Sequence, residues 1–200
     1  MQVQLSQITL ALAGRPVLAG VDLQTAENEY VVILGPSGCG KTTTLRILAG
    51  LQRPDSGEVR FDGVSVTRLA PRRRGVSMVF QHSALYPHLT VEKFIRLGQS
   101  VSVSQADWES RFRQAIELTR IEELLARYPD QLSGGELRRA ALAKAIVRQS
   151  PVRLLDEPLA ALDAYARPSL QEDILRWHRA VPGATIHVTH DGDEAMRMAD

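Results

Sequence analysis

Apolar and polar residues alternate along residues 3–11 and again along 17–23, the period of strands that bury one face. Gly14-Arg15-Pro16 and Glu27-Asn28-Glu29 supply turn chemistry around them. The alternation then gives way to Tyr30-Val31-Val32-Ile33-Leu34, a short β-branched apolar run suited to a buried strand. Residues 43–49 are helix-compatible and close on Gly50, a natural C-terminal stop. Turn residues fill 53–57, and residues 58–61 and 64–66 flank Asp62-Gly63, a strong hairpin signal. Residues 76–80 form another strand-like run, which delivers Gln81 at its end. From 90 to 149 the period is helical, with Trp108, Phe112 and Ala115 on one face and Ser104 and Asp107 spaced as a capping box. Strands resume at 152–155 and 184–188, separated by a helix over 168–180 that carries Pro168 in its first turn. The pattern predicts one α/β domain over 1–200, with a helical insertion at about 84–150 that is not an independent domain because strands follow it.

The strand at 30–34 leads into Gly35-Pro36-Ser37-Gly38-Cys39-Gly40-Lys41-Thr42, followed by Thr43 and the helix. This fits the phosphate-loop pattern G-x-x-x-x-G-K-[ST] in the strand–loop–helix setting that the mechanism needs. Glycines let backbone N–H groups curl around an anion, and the helix start adds roughly half a positive charge. Lys41 can reach β- and γ-phosphates, and the Thr42 hydroxyl can ligate Mg²⁺. The stretch reads as a nucleoside triphosphate site.

Asp156-Glu157 follows a buried strand, placing two carboxylates at the carboxyl edge of a sheet beside that loop. Asp156 can hold Mg²⁺, directly or through water. Glu157 can polarise an attacking water, an effect worth roughly 10²–10⁴-fold in rate. Leu132-Ser133-Gly134-Gly135-Glu136 opens an Ala-rich helix with Ser133 and Glu136 spaced as a capping box. The two glycines also expose N–H groups to an anion, and the residues alone do not choose between a capped helix and an anion site.

Bulk properties bound the remainder. A net charge of +1 gives no global pull toward nucleic acid or an acidic membrane. No apolar run is long enough to span a bilayer, and Met1-Gln2-Val3-Gln4-Leu5 lacks the features of a signal peptide. A single cysteine, Cys39, excludes an internal disulfide and suits a reducing cytosol; its expected role is a small side chain within the loop. Arg72-Arg73-Arg74 is the only basic run and reads as a solvated loop. Arg153 interrupts an apolar strand and is expected to find a carboxylate or to reach solvent.

The phosphate loop, Gln81, Leu132-Ser133-Gly134-Gly135-Glu136, Leu154-Leu155-Asp156-Glu157-Pro158, Ala161-Leu162-Asp163 and His190, in that order, resemble the nucleotide-binding subunits of ABC transporters. The segment from Gln81 through Tyr86-Pro87-His88 to Thr90 looks most like bacterial importers of the maltose type. The resemblance implies a P-loop NTPase fold of the ABC type: a mixed, largely parallel sheet core, an N-terminal antiparallel β subdomain and a helical insertion. It implies hydrolysis of ATP with Mg²⁺ to power solute import, by a peripheral subunit on the cytoplasmic face of the inner membrane. Two such domains, a homodimer or a paired ABC subunit, would stack head to tail around two ATP molecules. They would bind transmembrane permease subunits and, indirectly, a solute-binding protein, and no nucleic acid. In this scheme Ser133, Gly134 and Gly135 act on the partner's γ-phosphate, and Gln81 ligates Mg²⁺ or water and senses the permease. Asp163 organises the dimer seam, His190 contacts the γ-phosphate and orders the catalytic water, and residues 85–89 dock onto the permease.

Three departures accompany the resemblance. The aromatic residue that stacks on adenine would fall at Leu12 or Ala13, neither of which can π-stack. Glu136 stands where importers of this type usually carry Gln. Met196-Arg197-Met198-Ala199-Asp200 reads as the middle of a helix where the family continues, which implies a truncated chain. Two other readings stand beside the importer: a soluble ABC-type ATPase acting on nucleic acid or ribosomes, and a nucleotide-gated dimerisation switch without turnover.

Overall fold

Among the residues described by a computed structural model (1–81, 85–99, 103–160, 162 and 166–199), the chain forms two sheets, six α-helices and three short 3-10 turns. The first sheet holds β1 (Val3–Leu12), β2 (Arg15–Gln24), β4 (Ser56–Phe61) and β5 (Val64–Ser65) in the order β2-β1-β4-β5, with antiparallel pairings throughout. In β1 buried positions alternate with more exposed ones, as the sequence pattern requires of a strand with one covered face. The second sheet orders β3 (Tyr30–Leu34), β8 (Ala184–Thr189), β7 (Val152–Asp156) and β6 (Val76–Val79) as β3-β8-β7-β6. Its β3, β8 and β7 run parallel, and every residue of the inner strands β7 and β8 is buried. The antiparallel β subdomain and the parallel core sheet are both as predicted.

The chain divides into two units. The first contains Met1–Met78, Pro151–Glu157 and Pro182–Asp200. Its core joins Leu5 and Val59 of the antiparallel sheet to Leu45 and Leu48 of α1 (Lys41–Ala49) and to Leu154 and Ile186 of the parallel sheet. The hairpin at Asp62-Gly63 has positive φ at both residues, 45° and 77°, the geometry that matches strand twist in a two-residue turn. Ser56 and Gly57, read as turn residues, belong to β4 instead. Gly57, at φ 92°, faces the irregular stretch of β1, and a Cβ there would come within 2.4 Å of the Gln7 carbonyl oxygen. α6 (Gly192–Met198) ends at Met198, with Ala199 extended.

The second unit contains Val79–Ser150 and Pro158–Val181. It is built from α2 (Val91–Arg96), α3 (Gln105–Thr119), α4 (Gly134–Ile146) and α5 (Ala166–Ala180). Trp108, Phe112 and Ala115 are buried along one face of α3, as their spacing predicts, and Ser104 caps that helix by accepting from the Asp107 N–H at 3.1 Å. Asp173 of α5 is fully buried between two arginines: Arg176 donates to it at 2.5 Å and Arg139 of α4 lies 3.2 Å away. Burial nevertheless raises its carboxyl above the usual carboxylate range, outweighing both guanidinium groups.

One arginine departs from its sequence reading, and a second narrows it. Arg72 and Arg73 are exposed, but Arg74 is buried. Its guanidinium donates to the Ile47 and Leu48 carbonyls at 2.7 and 3.0 Å, to Thr67 O at 2.9 Å and to Leu69 O at 3.0 Å. The fork thus adds donors to the carbonyls at the end of α1, where the helix itself supplies too few. Arg74→Ala should therefore destabilise the chain by about 2–4 kcal/mol, because hydrogen bonds from a charged donor are lost and buried carbonyls lose a partner. Urea denaturation would measure this, with Arg74→Lys intermediate. Arg153 does not reach solvent: it is 0% exposed, with Nη1 3.5 Å from Thr185 Oγ1, and burial pushes its guanidinium down to about 10.

Candidate functional site

Parallel pairing brings three strand ends to one edge of the first unit. Leu34 of β3 aligns with Thr189 of β8, and Asp156 of β7 aligns with Val188. The phosphate loop, Asp156-Glu157 and His190 follow from these three ends, so residues more than a hundred positions apart in sequence share one rim. Gly35 N–H donates to the Thr189 carbonyl at 3.3 Å, and Glu157 N–H donates to that of Val188 at 3.0 Å.

The loop itself is shaped by Gly38 and Gly40, at φ 83° and 100°. A Cβ on Gly40 would meet Leu18 Cδ2 at 2.7 Å and the Val17 carbonyl oxygen at 3.0 Å. No other residue type fits there. The exposed Cys39 packs its sulfur over Gly35, 2.9 Å from where a Cβ would stand. Gly40 is the N-cap of α1, with no side-chain cap and no acidic residue in the first turn. By contrast α2, α3, α4 and α6 are all capped by their own Thr90, Ser104, Ser133 and Asp191. The Thr44 N–H is bonded to Gly40 O at 2.9 Å, leaving those of Lys41, Thr42 and Thr43 as the unpaired donors of a helix start. An uncapped helix behind a glycine loop is an electropositive concavity suited to phosphate.

Lys41 folds into this loop, donating from Nζ to the carbonyls of Gly35 and Pro36 at 2.7 and 2.8 Å. Thr42 donates its hydroxyl to Asp156 Oδ1 at 2.8 Å. Asp156 is buried, and burial, reinforced by the neighbouring Glu157, raises its carboxyl above the ordinary value against the opposing Thr42 hydrogen bond and the charges of Arg46 and Lys41. A hydroxyl and a buried carboxylate in contact form a hard oxygen pair that fits Mg²⁺.

Glu157 sits in the left-handed region at φ 45°, a strain of about 1–2 kcal/mol for a non-glycine residue. Its side chain lies mostly covered, with Oε2 3.2 Å from Nδ1 of His190. His190 is 55% exposed. A carboxylate held against an accessible imidazole is an arrangement for moving a proton.

Gln81 and the residues that open α4 belong to the second unit. Gln81 follows β6, partly buried, and the preceding Phe80 carbonyl accepts from Arg138 Nη1 of α4 at 3.2 Å. Ser133 caps α4 in a complete capping box: Glu136 N–H donates to Ser133 Oγ at 3.3 Å, and Ser133 N–H donates to Glu136 Oε2 at 2.7 Å. The hydrogen bonds from Ser133, backbone first, hold the Glu136 carboxyl below its usual range, so it is ionised at neutral pH. Gly134 and Gly135 form the first turn of α4. Asp163 lies outside the described residues. Leu12, at the end of β1, is 46% exposed, and Ala13 occupies the turn at φ 50°.

Residues 18–160 match the ABC transporter family. The chain belongs to that family. The match runs from β2 through the phosphate loop, the capping box of α4 and Asp156-Glu157. An sn-glycerol-3-phosphate import ATP-binding protein of Cereibacter sphaeroides is 44% identical over 200 residues, covering 100% of this chain and 57% of that protein. A sulfate/thiosulfate import ATP-binding protein of Caulobacter vibrioides is 47% identical over 190 residues, covering 92% and 56%. A spermidine/putrescine import ATP-binding protein of Trichormus variabilis is 41% identical over 201 residues, covering 100% and 53%. The chain thus spans about half the length of these family members.

Sequence reasoning missed Arg74, Arg138 and a buried polar chain through Tyr30, His187 and Glu194. Their one visible signal is a polar or basic residue inside or beside an apolar run, as at His187.

Proposed function

We propose that this chain binds and hydrolyses ATP with Mg²⁺ as the ATP-binding part of an ABC importer. It works as a head-to-tail pair of nucleotide-binding domains under transmembrane permease subunits, on the cytoplasmic face of the inner membrane. The observation that carries this is the shared rim of the parallel sheet, where Lys41, Thr42, Asp156, Glu157 and His190 meet an uncapped helix start.

Each residue has a task in that reaction. The free N–H groups of α1 take the β- and γ-phosphate oxygens, and Lys41 exchanges the Gly35 and Pro36 carbonyls for the same oxygens. Thr42 and Asp156 would hold Mg²⁺, which when bound neutralises charge between the β- and γ-phosphates. Glu157 accepts the proton of the attacking water as its oxygen bonds to the γ-phosphorus and the bond to the bridging oxygen breaks. His190, beside Glu157, fixes that water against the γ-phosphate.

Ser133, Gly134 and Gly135 present α4 to the triphosphate of the second domain, with Asp163 at the seam between domains. Gln81 and the segment at 85–89, where Leu85 is buried and Tyr86 half exposed, face the permease. The three relatives are named for three unlike solutes, at 41–47% identity. What this chain shares with them is the ATP-driven step, and solute choice resides in the permease and its solute-binding protein.

Phosphate release from Mg-ATP by the purified chain tests the reading. Chelating the metal with excess EDTA should lower the rate by at least about 100-fold, since a Lewis-acidic ion contributes several kcal/mol to such a transition state. A chain that binds no nucleotide, or one whose turnover is indifferent to EDTA, would refute it.

A further inference from the structure

Behind His190 lies a buried polar chain that the chemistry above leaves unused. Tyr30 Oη, at the start of β3, is 2.9 Å from His187 Nδ1 in β8. Across the ring, His187 Nε2 lies 2.8 Å from Glu194 Oε1 of α6, a close approach that does not amount to a well-formed hydrogen bond. The other carboxylate oxygen of Glu194 accepts the Thr189 hydroxyl proton at 3.0 Å. That hydroxyl oxygen accepts in turn from the Asp191 N–H at 3.1 Å. Tyr30, His187, Thr189 and Glu194 are each at most 5% exposed.

Burying a carboxylate costs several kcal/mol of solvation, and an apolar side chain of similar volume would serve stability as well or better. The return is positional. Thr189 and Asp191 flank His190, and one hydroxyl joins them. The Thr189 carbonyl also takes the Gly35 N–H, the first residue of the phosphate loop. Asp191, for its part, caps α6 by accepting from the N–H groups of Asp193 and Glu194 at 2.9 and 3.1 Å. The backbone on both sides of an exposed histidine is therefore tied to one buried carboxylate, itself held from behind by an imidazole and a phenol.

We infer that Glu194 is a positioning residue for His190: through the Thr189 hydroxyl it fixes the loop that aims the imidazole at Glu157 and the γ-phosphate, with His187 and Tyr30 holding its carboxylate in place. This rests on the role of His190 proposed above. Glu194 touches no substrate and acts only through its neighbours.

Steady-state hydrolysis of Mg-ATP by the full 200-residue chain tests it. Glu194→Ala should lower kcat about 10- to 100-fold, the cost of aiming a catalytic group about an ångström off, with KM within about twofold of the parent. Glu194→Gln, which keeps an acceptor for Thr189, should recover most of the loss. Thr189→Val removes the hydroxyl without changing shape and should reproduce the defect; it decides the matter if Glu194→Ala does not fold. In a His190→Ala background, Glu194→Ala or Thr189→Val should change the residual rate by less than about twofold, because groups acting in series are not additive. An undiminished loss in that background, or a rise in KM at constant kcat, overturns the inference alone. Parental turnover by His190→Ala overturns the role of His190 and the inference with it.

Discussion

Glu157→Gln should reduce ATP turnover by about 10²–10⁴-fold, the usual contribution of a positioned general base, while ATP binding persists. The amide is nearly isosteric, so the hydrogen bond from the backbone N–H to Val188 and the left-handed backbone at φ 45° need not change. What disappears is the ability to take a proton. Lys41, Thr42 and the unpaired N–H groups of α1 are untouched, so the triphosphate still finds its cradle. If two domains pair around ATP as proposed, stopping turnover leaves that bridge uncut, and the paired state should accumulate. On that proposal, size-exclusion chromatography with Mg-ATP should show more dimer for the variant than for the parent. Single-turnover phosphate release measures the rate loss directly. Hydrolysis at the parental rate would remove Glu157 from its assigned role, and loss of ATP binding would mean that its carboxylate shapes the cradle as well.

The difference between Glu157 and Glu194 illustrates what could be read from the chain alone. The phosphate loop was legible because its chemistry is local: eight consecutive residues carry the glycines, the lysine and the hydroxyl, and the flanking strand and helix follow from hydrophobic period. Asp156-Glu157 was nearly as legible, since a carboxylate pair closing an apolar strand marks a sheet edge. The capping box at Ser133 and Glu136 is likewise a three-residue matter, and it forms as its spacing predicts. Geometry that depends on pairing across the sequence was not legible. Tyr30 and His187 meet because β3 and β8 lie side by side, although 157 positions separate them. Arg74 looked like part of a solvated basic run because the carbonyls it serves lie 26 and 27 residues earlier. The position of His190 opposite Glu157 has the same origin. Physical reading of the residues alone supplied no reason to single out that histidine; the family pattern did, and parallel strand order supplies the reason.

Asp156→Asn should separate stability from function in opposite directions. In the folded chain burial holds the Asp156 carboxyl above its ordinary value, and the adjacent Glu157 adds to the shift. The native state therefore binds this proton more tightly than the unfolded chain does, and the sign of the linkage follows. The contribution is fully favourable below the unfolded value of about 4 and declines as pH rises through the elevated folded value. Above that folded value the buried carboxylate, once ionised, is a standing cost. Asparagine removes that cost and retains an oxygen for the Thr42 hydroxyl now bonded at 2.8 Å. Without nucleotide or metal, Asp156→Asn should thus melt above the parent at pH 7, and the two should converge as pH falls toward 4. With Mg-ATP the order reverses. The parent gains RT ln(1 + [L]/Kd), about 2.7 kcal/mol at a hundredfold excess over Kd, because the cation compensates the same carboxylate. The amide is a neutral, weaker ligand for a hard cation, so the variant gains much less and its turnover falls by about 100-fold or more. Thermal melts at several pH values, with and without Mg-ATP, measure both halves. A variant that melts below the parent at pH 7 without ligand would show that Asp156 stabilises the empty chain, and a variant equally stabilised by Mg-ATP would show that its carboxylate is not where the cation binds.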